Sequence, residues 1–345
     1  MQHLAFGATV VRPVNHHLRA VTKPVFQVDI AIDAQSSLEA ELPLALVADE
    51  GCFHHANNMR MPLGIYNVSV SRICDKLIRL CQRLETYFRA SNTLEPLQEN
   101  DGVMQELIDY IELSLYAAAE HVDDIDSIAS GFFKSPALRN KHAAYRSLQQ
   151  AIKRNKRLVS ATANAIKHHQ SRIRVFSMEF SHGGSSGCLH GYFIEGVEAG
   201  IVCPSSTFHR NQEVFSITTL VWEIIALLLA CSRDLARFLR LVATQIVGPA
   251  SIKSEAFQKA VIAAARLPIY TFGEEHPFSR ITMNVNSSDG IADSLESGLY
   301  GSIRNGWSKT ANASFGRFTS RFEGDGITKT FRVAQPKGVV LHYWS

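Results

Sequence analysis

The chain has 345 residues, of which 46% are hydrophobic and 19% charged, a composition that suits one or two globular domains with a sizeable core. Its net charge of +3 is too small to indicate a nucleic-acid or membrane partner by itself. Its six scattered cysteines form no C-x-x-C pair, which excludes a disulfide framework, and we expect a reduced, cytoplasmic protein without a signal peptide.

Residues 1–60 have the pattern of strands and loops. The segment 26–33 alternates apolar and polar residues, which is the period of a half-buried strand. Residues 42–47 form a second candidate strand. A loop rich in histidine and asparagine follows and extends to Pro62.

The next part of the chain is predicted to be helical because its apolar residues recur every three or four positions. Residues 68–90 and 103–128 each carry such a stripe. Ser135 and Pro136 are residue types preferred at an N-cap and at the first helical position. A third helix is therefore expected to begin at Pro136 and to run without a break to about Ser171.

Two strands, at 172–181 and 188–202, are predicted to form a hairpin around Gly183-Gly184-Ser185-Ser186-Gly187. A long helix is expected from about residue 214 to 247. Its apolar stretch from Val214 to Ser232 is close to a membrane-spanning length, but Glu223 at the centre would cost roughly 2.5 kcal/mol or more in a bilayer. The pattern therefore favours a buried core helix and no membrane partner.

The C-terminal part is predicted to contain a short helix at 251–266 and strands at 328–333 and 338–344. Alternating aromatic and basic residues at 315–322 suit either stacking on single-stranded nucleic acid or an amphipathic strand that packs its phenylalanines inward. We divide the chain into an N-terminal strand and loop segment (1–60), a helical bundle with a hairpin inserted at about 172–203 (61–248) and a C-terminal α+β segment (249–345). The predicted fold is α+β and mainly helical: a four-helix bundle with a β-hairpin insertion, flanked by β-containing N- and C-terminal segments.

Charge is segregated along the predicted helices. Residues 90–133 contain ten acidic and no basic residues, whereas residues 135–178 contain ten basic and no acidic residues. Adjacent helices of opposite charge should pack antiparallel, so we predict a seam of ion pairs between residues 106–126 and 139–167. The basic residues occupy a stripe of which only part can face the acidic helix, which leaves the rest available to phosphate groups.

One compact group on the third helix has the residue types of a phosphodiester site. Asn164, His168 and Arg172 are spaced four residues apart and would line one helical face. Arginine would neutralise phosphate charge, histidine could exchange a proton near neutral pH, and asparagine could orient a hydroxyl group. These three are the candidate catalytic residues, although a solvated polar helix face explains the same spacing.

The candidate nucleic-acid-binding residues lie around this group. They are Lys153, Arg157, Lys167 and Arg174. We expect Lys153, Arg157, Lys167 and Arg172 to be exposed on one face of one continuous helix.

Other motifs point to no further chemistry. Gly183–Gly187 matches G-x-S-x-G, but a strand rather than a helix is predicted to follow. No glycine-rich phosphate loop is present. Cys52, His54 and His55, and the pair His16-His17, lack the spacing of structural zinc sites, so no metal and no cofactor is predicted.

A long third helix with the string Asn164-Ala165-Ile166-Lys167-His168, followed by an apolar fourth helix, resembles the HEPN superfamily over about residues 65–245. The resemblance implies a small helical bundle of bacterial toxin or antiviral defence systems, whose members include metal-independent ribonucleases and inactive binding or dimerising modules. RNA binding or cleavage is the expectation that follows. A protein partner, self-association into a homo-oligomer and a small phosphorylated ligand are the alternatives. The typical motif of the family is an arginine, a polar residue, any three residues and a histidine. This motif is absent from the predicted helices.

Overall fold

The structure is a computed structural model. It describes residues 28–30, 38–48, 51–91, 101–169, 171–182, 185–198, 201–209, 215–244, 254–267, 270–272, 291–292, 301–303, 318–324, 327–333 and 339–341. Over these residues the chain is mainly helical with small antiparallel sheets, which confirms the mainly helical α+β class.

Two long helices, α2 (Pro62–Ser91) and α3 (Asp101–Ser130), pack against each other. The sequence predicted both of them and their apolar stripes. The stripe residues are buried: Ile73, Leu77, Leu80, Leu84 and Tyr87 on α2, and Ile111, Leu115, Val122 and Ile125 on α3. Apolar residues one turn apart thus supply the shared core of the pair.

The third predicted helix is divided into α4 (Pro136–Lys141), α5 (Ala143–Asn155) and α6 (Arg157–His169). Its start is confirmed, because the Ser135 hydroxyl accepts a hydrogen bond from the Leu138 amide at 3.4 Å. The prediction of one continuous helix is wrong. His142 is extended, and Lys156 has a ψ of −3°. The division has a packing cause, because α5 packs against the long helix α8 and α6 packs against α3.

The predicted hairpin is confirmed by strands β2 (Ile173–His182) and β3 (Ser185–Glu198), which pair antiparallel. His182 pairs with Ser185, so the connection is shorter than predicted and a strand does follow the G-x-S-x-G string. Strands β4 (Ile201–Pro204) and β5 (Phe215–Ser216) also pair with β3, with the short helix α7 (Ser206–His209) between them.

Helix α8 (Ile217–Val242) is the buried helix that the sequence predicted. All of its residues from Leu220 to Ser232 are buried. Its hydroxyl N-cap, Ser216, accepts a hydrogen bond from the Thr219 amide. Within the described part of the chain, no helix combines the length and apolar character needed to cross a membrane.

The strand predicted at 42–47 is wrong, because residues Glu41–Ala45 form helix α1. Pro43 lies in the first turn, where its missing N–H removes no helical hydrogen bond. Leu44 is buried and Leu42 is exposed. Burial along the rest of the segment does not alternate from one residue to the next, as it would in a strand. Strand β1 (Val28–Ile30) lies inside the strand predicted at 26–33.

The C-terminal elements are helix α9 and several short strands. They are α9 (Glu255–Ala265), β6 (Tyr270–Phe272), β7 (Ile291–Ala292), β8 (Gly301–Ile303), β9 (Phe318–Gly324), β10 (Ile327–Val333) and β11 (Val339–Leu341). The pairs are β1 with β8, β7 with β8, β9 with β10 and β6 with β11. Side chains at 315–322 lie outside the described part, and the segment boundaries at 60 and 248 stay predictions.

Candidate nucleic-acid interface

The acidic helix α3 forms its ion pairs with α2. Arg72 of α2 contacts Glu120 at 2.5 Å and Asp124 at 3.2 Å, and Arg83 of α2 pairs with Glu106. Among the described residues no ion pair joins α3 to α5 or α6, so the predicted seam is wrong. The sequence analysis compared α3 only with the segment that follows it, whereas the arginines that compensate α3 come from the helix that precedes it.

Helix α3 contacts the basic helices α5 and α6 through hydrogen bonds and a cation–π contact rather than through ion pairs. Asp126 of α3 accepts hydrogen bonds from the Tyr145 hydroxyl at 2.7 Å and from the Gln149 amide. The Lys167 ammonium lies 4.7 Å from the centre of the Tyr116 ring, a cation–π contact. The helices therefore do touch, and α6 contacts α3 through Lys167 while Arg157 stays exposed.

The predicted exposure of four basic side chains is confirmed, but the prediction that they lie on one face of one continuous helix is wrong, because the helix breaks at Lys156 and ends at His169. Lys153 on α5, Arg157 and Lys167 on α6, and Arg172 after α6 are all exposed. We call this set the basic face. Among the described residues, none of these four side chains forms an ion pair with an acidic residue, although Lys167 contacts the Tyr116 ring and Arg172 acts on the Glu112 carboxyl group.

Arg174, the fourth predicted nucleic-acid-binding residue, is placed differently. It lies in β2, is half-buried and pairs with Glu195 of β3. Its charge is compensated within the sheet, so we leave Arg174 out of the basic face.

The three candidate catalytic residues do not share one helical face. Asn164 and His168 are exposed on α6, one turn apart. Arg172 follows the end of α6, where the Ser171 amide donates to the Ala165 carbonyl at 3.3 Å, and it directly precedes β2. The prediction of a single face is wrong because the helix ends at His169.

Arg172 lies close enough to α3 to affect a carboxyl group there. Burial raises the pKa of Glu112, the neighbouring Asp109 raises it further, and the charge of Arg172 lowers it. Arg172 is exposed, and its charge acts on Glu112 of α3.

A serine–histidine pair that the sequence did not indicate lies between α2 and α3. The Ser69 hydroxyl is 2.9 Å from Nδ1 of His121, and both residues are buried. Burial, together with a smaller effect of the Arg72 charge, lowers the pKa of His121 to about 3. A substrate cannot reach a fully buried pair, so its role is structural. The available signal was a histidine inside the apolar stripe of α3.

The histidine-rich loop contains a buried imidazole rather than a ligand cluster. His54 is buried against Gly131 and Phe132, where a side chain at position 131 would overlap its ring. Cys52 is half-buried and His55 exposed. No group of three metal-binding side chains occurs in the part of the chain that the structure describes, and His16 and His17 lie outside it.

Comparison of the chain with protein-family models, with curated proteins and with solved structures finds no match in any of the three.

Proposed function

We propose that this chain is a HEPN-like RNA-binding protein of the kind used in bacterial defence or toxin systems. In this proposal α2, α3, α5 with α6, and α8 form a four-helix bundle, and the β2–β3 hairpin is its insertion. The observation that carries the proposal is the partnering of α3 by Arg72 and Arg83 of α2. It leaves the basic face directed to solvent.

The chemistry of the basic face suits a phosphate backbone. Arginine and lysine attract phosphate oxygens, and arginine can bind two of them at once. Each neutralised phosphate releases a counterion, so binding should weaken steeply as salt rises. Exposed Asn164 and the imidazole of His168 lie within the same surface and can contact a sugar hydroxyl or a phosphate.

Binding is tested with the double variant Lys153→Glu/Arg157→Glu. We expect at least about tenfold weaker RNA binding at low salt and a salt dependence reduced by about 0.7 for each lost phosphate contact. The matched control is Arg79→Glu/Lys259→Glu, which changes the charge equally at exposed positions of α2 and α9. Equal losses in both variants would mean that RNA responds only to net charge, and an absence of binding by the wild type would refute the proposal.

Metal-independent cleavage is the finer part of the proposal, with His168 as the proton-exchanging group. Labelled RNA is incubated with the wild type, His168→Ala and Arg172→Ala in EDTA. We expect the wild type to cut RNA and His168→Ala to cut about a hundredfold more slowly while binding normally. Cutting at the wild-type rate by both variants would remove this face from any catalytic role.

Non-catalytic binding is the second candidate, and one observation favours it. Arg172 belongs to the connection between α6 and β2, so the three residues are not held by one rigid element. A catalytic group must be held closely in place, whereas phosphate binding tolerates looser placement. RNA binding without cleavage in EDTA is the outcome expected of this candidate.

A further inference from the structure

A second group of exposed cations lies beside the start of α5. Its members come from two segments that are far apart in the sequence, so sequence analysis did not connect them. Lys134, Lys141 and Arg146 precede or begin α5, whereas Arg237 and Arg240 belong to the last turns of α8. All five are exposed. The two arginines are more than 90 positions beyond Arg146, and no motif connects them.

Ring contacts bring the end of α8 to this place. Phe238 of α8 lies 6.2 Å from Phe133, measured between ring centres. Phe133 in turn lies 5.2 Å from His142 and 5.8 Å from Tyr145. The end of α8 is therefore packed next to the α4–α5 connection, and α5 and α8 are in contact beyond it.

The exposed turn of α8 has its charges outward and its aromatic residue inward. Phe238 is 2% exposed, whereas the side chain of Arg237 is 66% exposed. Arg237 approaches the buried carboxylate of Asp234 only to 3.8 Å, beyond hydrogen-bond distance, so its guanidinium keeps donors for another anion. Arg240 is one turn further on and also exposed.

Two acidic side chains of the described residues near this surface, Asp126 and Asp234, already have partners. Asp126 accepts hydrogen bonds from Tyr145 and Gln149 on the inner side of α5. Asp234 is 6% exposed. Arg139 is held inward, because it donates to the Ser130 hydroxyl at 3.0 Å and lies 5.2 Å over the Tyr145 ring. Within the described part of the chain, this end of the molecule therefore presents five exposed cations.

We infer that the RNA-binding surface continues from the basic face along α5 and onto the end of α8, where Arg237 and Arg240 bind a separate stretch of the same RNA backbone. This inference rests on the proposed function. Helices α5 and α6 have 13 residues each, so each is about 20 Å long at 1.5 Å per residue. An RNA bound on α6 must cover the length of α5, about 20 Å, to reach the end of α8, which a long RNA can do and a short one cannot.

The test measures RNA affinity against salt for two lengths, roughly 5 and roughly 20 nucleotides, which span about 17 and 70 Å at 3.4 Å per nucleotide in a stacked strand. We expect Arg237→Gln/Arg240→Gln to lower the salt slope for the long RNA by about 1.4, at about 0.7 for each lost contact, and to leave the short RNA unchanged. The control is Arg79→Gln/Lys259→Gln, which removes two exposed positive charges outside this surface.

Three results would separate the possibilities. If Arg237→Gln/Arg240→Gln behaves like the control while Lys153→Glu/Arg157→Glu loses binding at both lengths, this inference is overturned and the proposed function stands. If the arginine variant weakens both lengths equally, the two ends do not bind separate stretches, and the inference is again overturned. If the wild type binds neither RNA, the proposed function fails and the inference fails with it.

Discussion

At the scale of single residues, two buried histidines matter more for stability than for chemistry. His121 receives a contact from Ser69, faces the Tyr66 ring at 5.9 Å between centres and lies near the charge of Arg72. His54 is enclosed by Gly131 and Phe132, and burial lowers its pKa to about 4. Both rings are neutral when the protein is folded near pH 7, because a charge in either place would be desolvated.

Acid should therefore destabilise the fold through His121. Its pKa is about 3 in the folded protein and about 6.5 in an unfolded chain, so the unfolded state binds the extra proton as the pH falls below 6.5. Stability rises with pH across this window, and its loss between pH 7 and pH 5 from this residue is about 2 kcal/mol. Denaturant unfolding at the two pH values checks this, with His121→Gln as the variant. An unchanged pH dependence in His121→Gln would contradict the assignment.

At the scale of elements, the N-cap residue of helix α9 links this helix to helix α1. Ser254 is the N-cap, and its hydroxyl accepts from the Phe257 amide at 3.3 Å. Burial raises the pKa of Glu41 in α1, and hydrogen bonds from the Ser254 side chain and backbone lower it. One serine thus caps a helix and lowers the pKa of a buried carboxyl group, whose Oε2 has no hydrogen-bond partner among the described residues.

Replacing Ser254 with alanine should cost about 1–2 kcal/mol of unfolding free energy, because the cap and one partner of buried Glu41 are both lost. The control is Ser135→Ala, which removes only the cap of the exposed helix α4 and should cost less. Thermal and denaturant unfolding of the two variants check the order. A smaller loss for Ser254→Ala than for Ser135→Ala would show that the contact with Glu41 contributes nothing.

Periodicity predicted the elements well where one apolar stripe packs against one neighbour. Helices α2, α3 and α8 and the β2–β3 hairpin follow directly from spacing of three, four or two. The break at Lys156 was missed because the stripe of α5–α6 is continuous while its packing partner changes from α8 to α3. Helix α1 was missed because five residues are too few to establish a period.

The sequence predicted which cations of the candidate site are exposed, but it did not predict their positions relative to one another. Exposure of Lys153, Arg157 and Lys167 follows from their place opposite the apolar stripe. The position of Arg172 depends on where α6 ends, and the pairing of Arg174 depends on Glu195 in a strand that lies further along the chain. Neither fact is local in sequence.

At the scale of the whole molecule, the charge distribution follows from which helix lies beside which. Ten acidic and ten basic residues in consecutive segments invite the expectation that they neutralise each other. The structure instead places two arginines of α2 against α3, at Arg72 and Arg83. The positive segment then keeps an exposed surface on the protein, which is the condition for binding a polyanion.

This division of charge can be measured by double-mutant cycles. The pair Arg72 and Glu120, with side chains 39% and 50% exposed, should give a coupling of about 0.2–1 kcal/mol in unfolding experiments. The comparison pair is Glu120 with Lys153, which makes no contact with Glu120 and should give no measurable coupling. Because exposed pairs are screened, the Arg72–Glu120 coupling should fall in 1 M salt, where the Debye length is about 3 Å. A coupling of Glu120 to Lys153 that equals or exceeds its coupling to Arg72 would mean that the acidic and basic segments compensate each other after all, and the basic face would then lose the charge on which RNA binding depends.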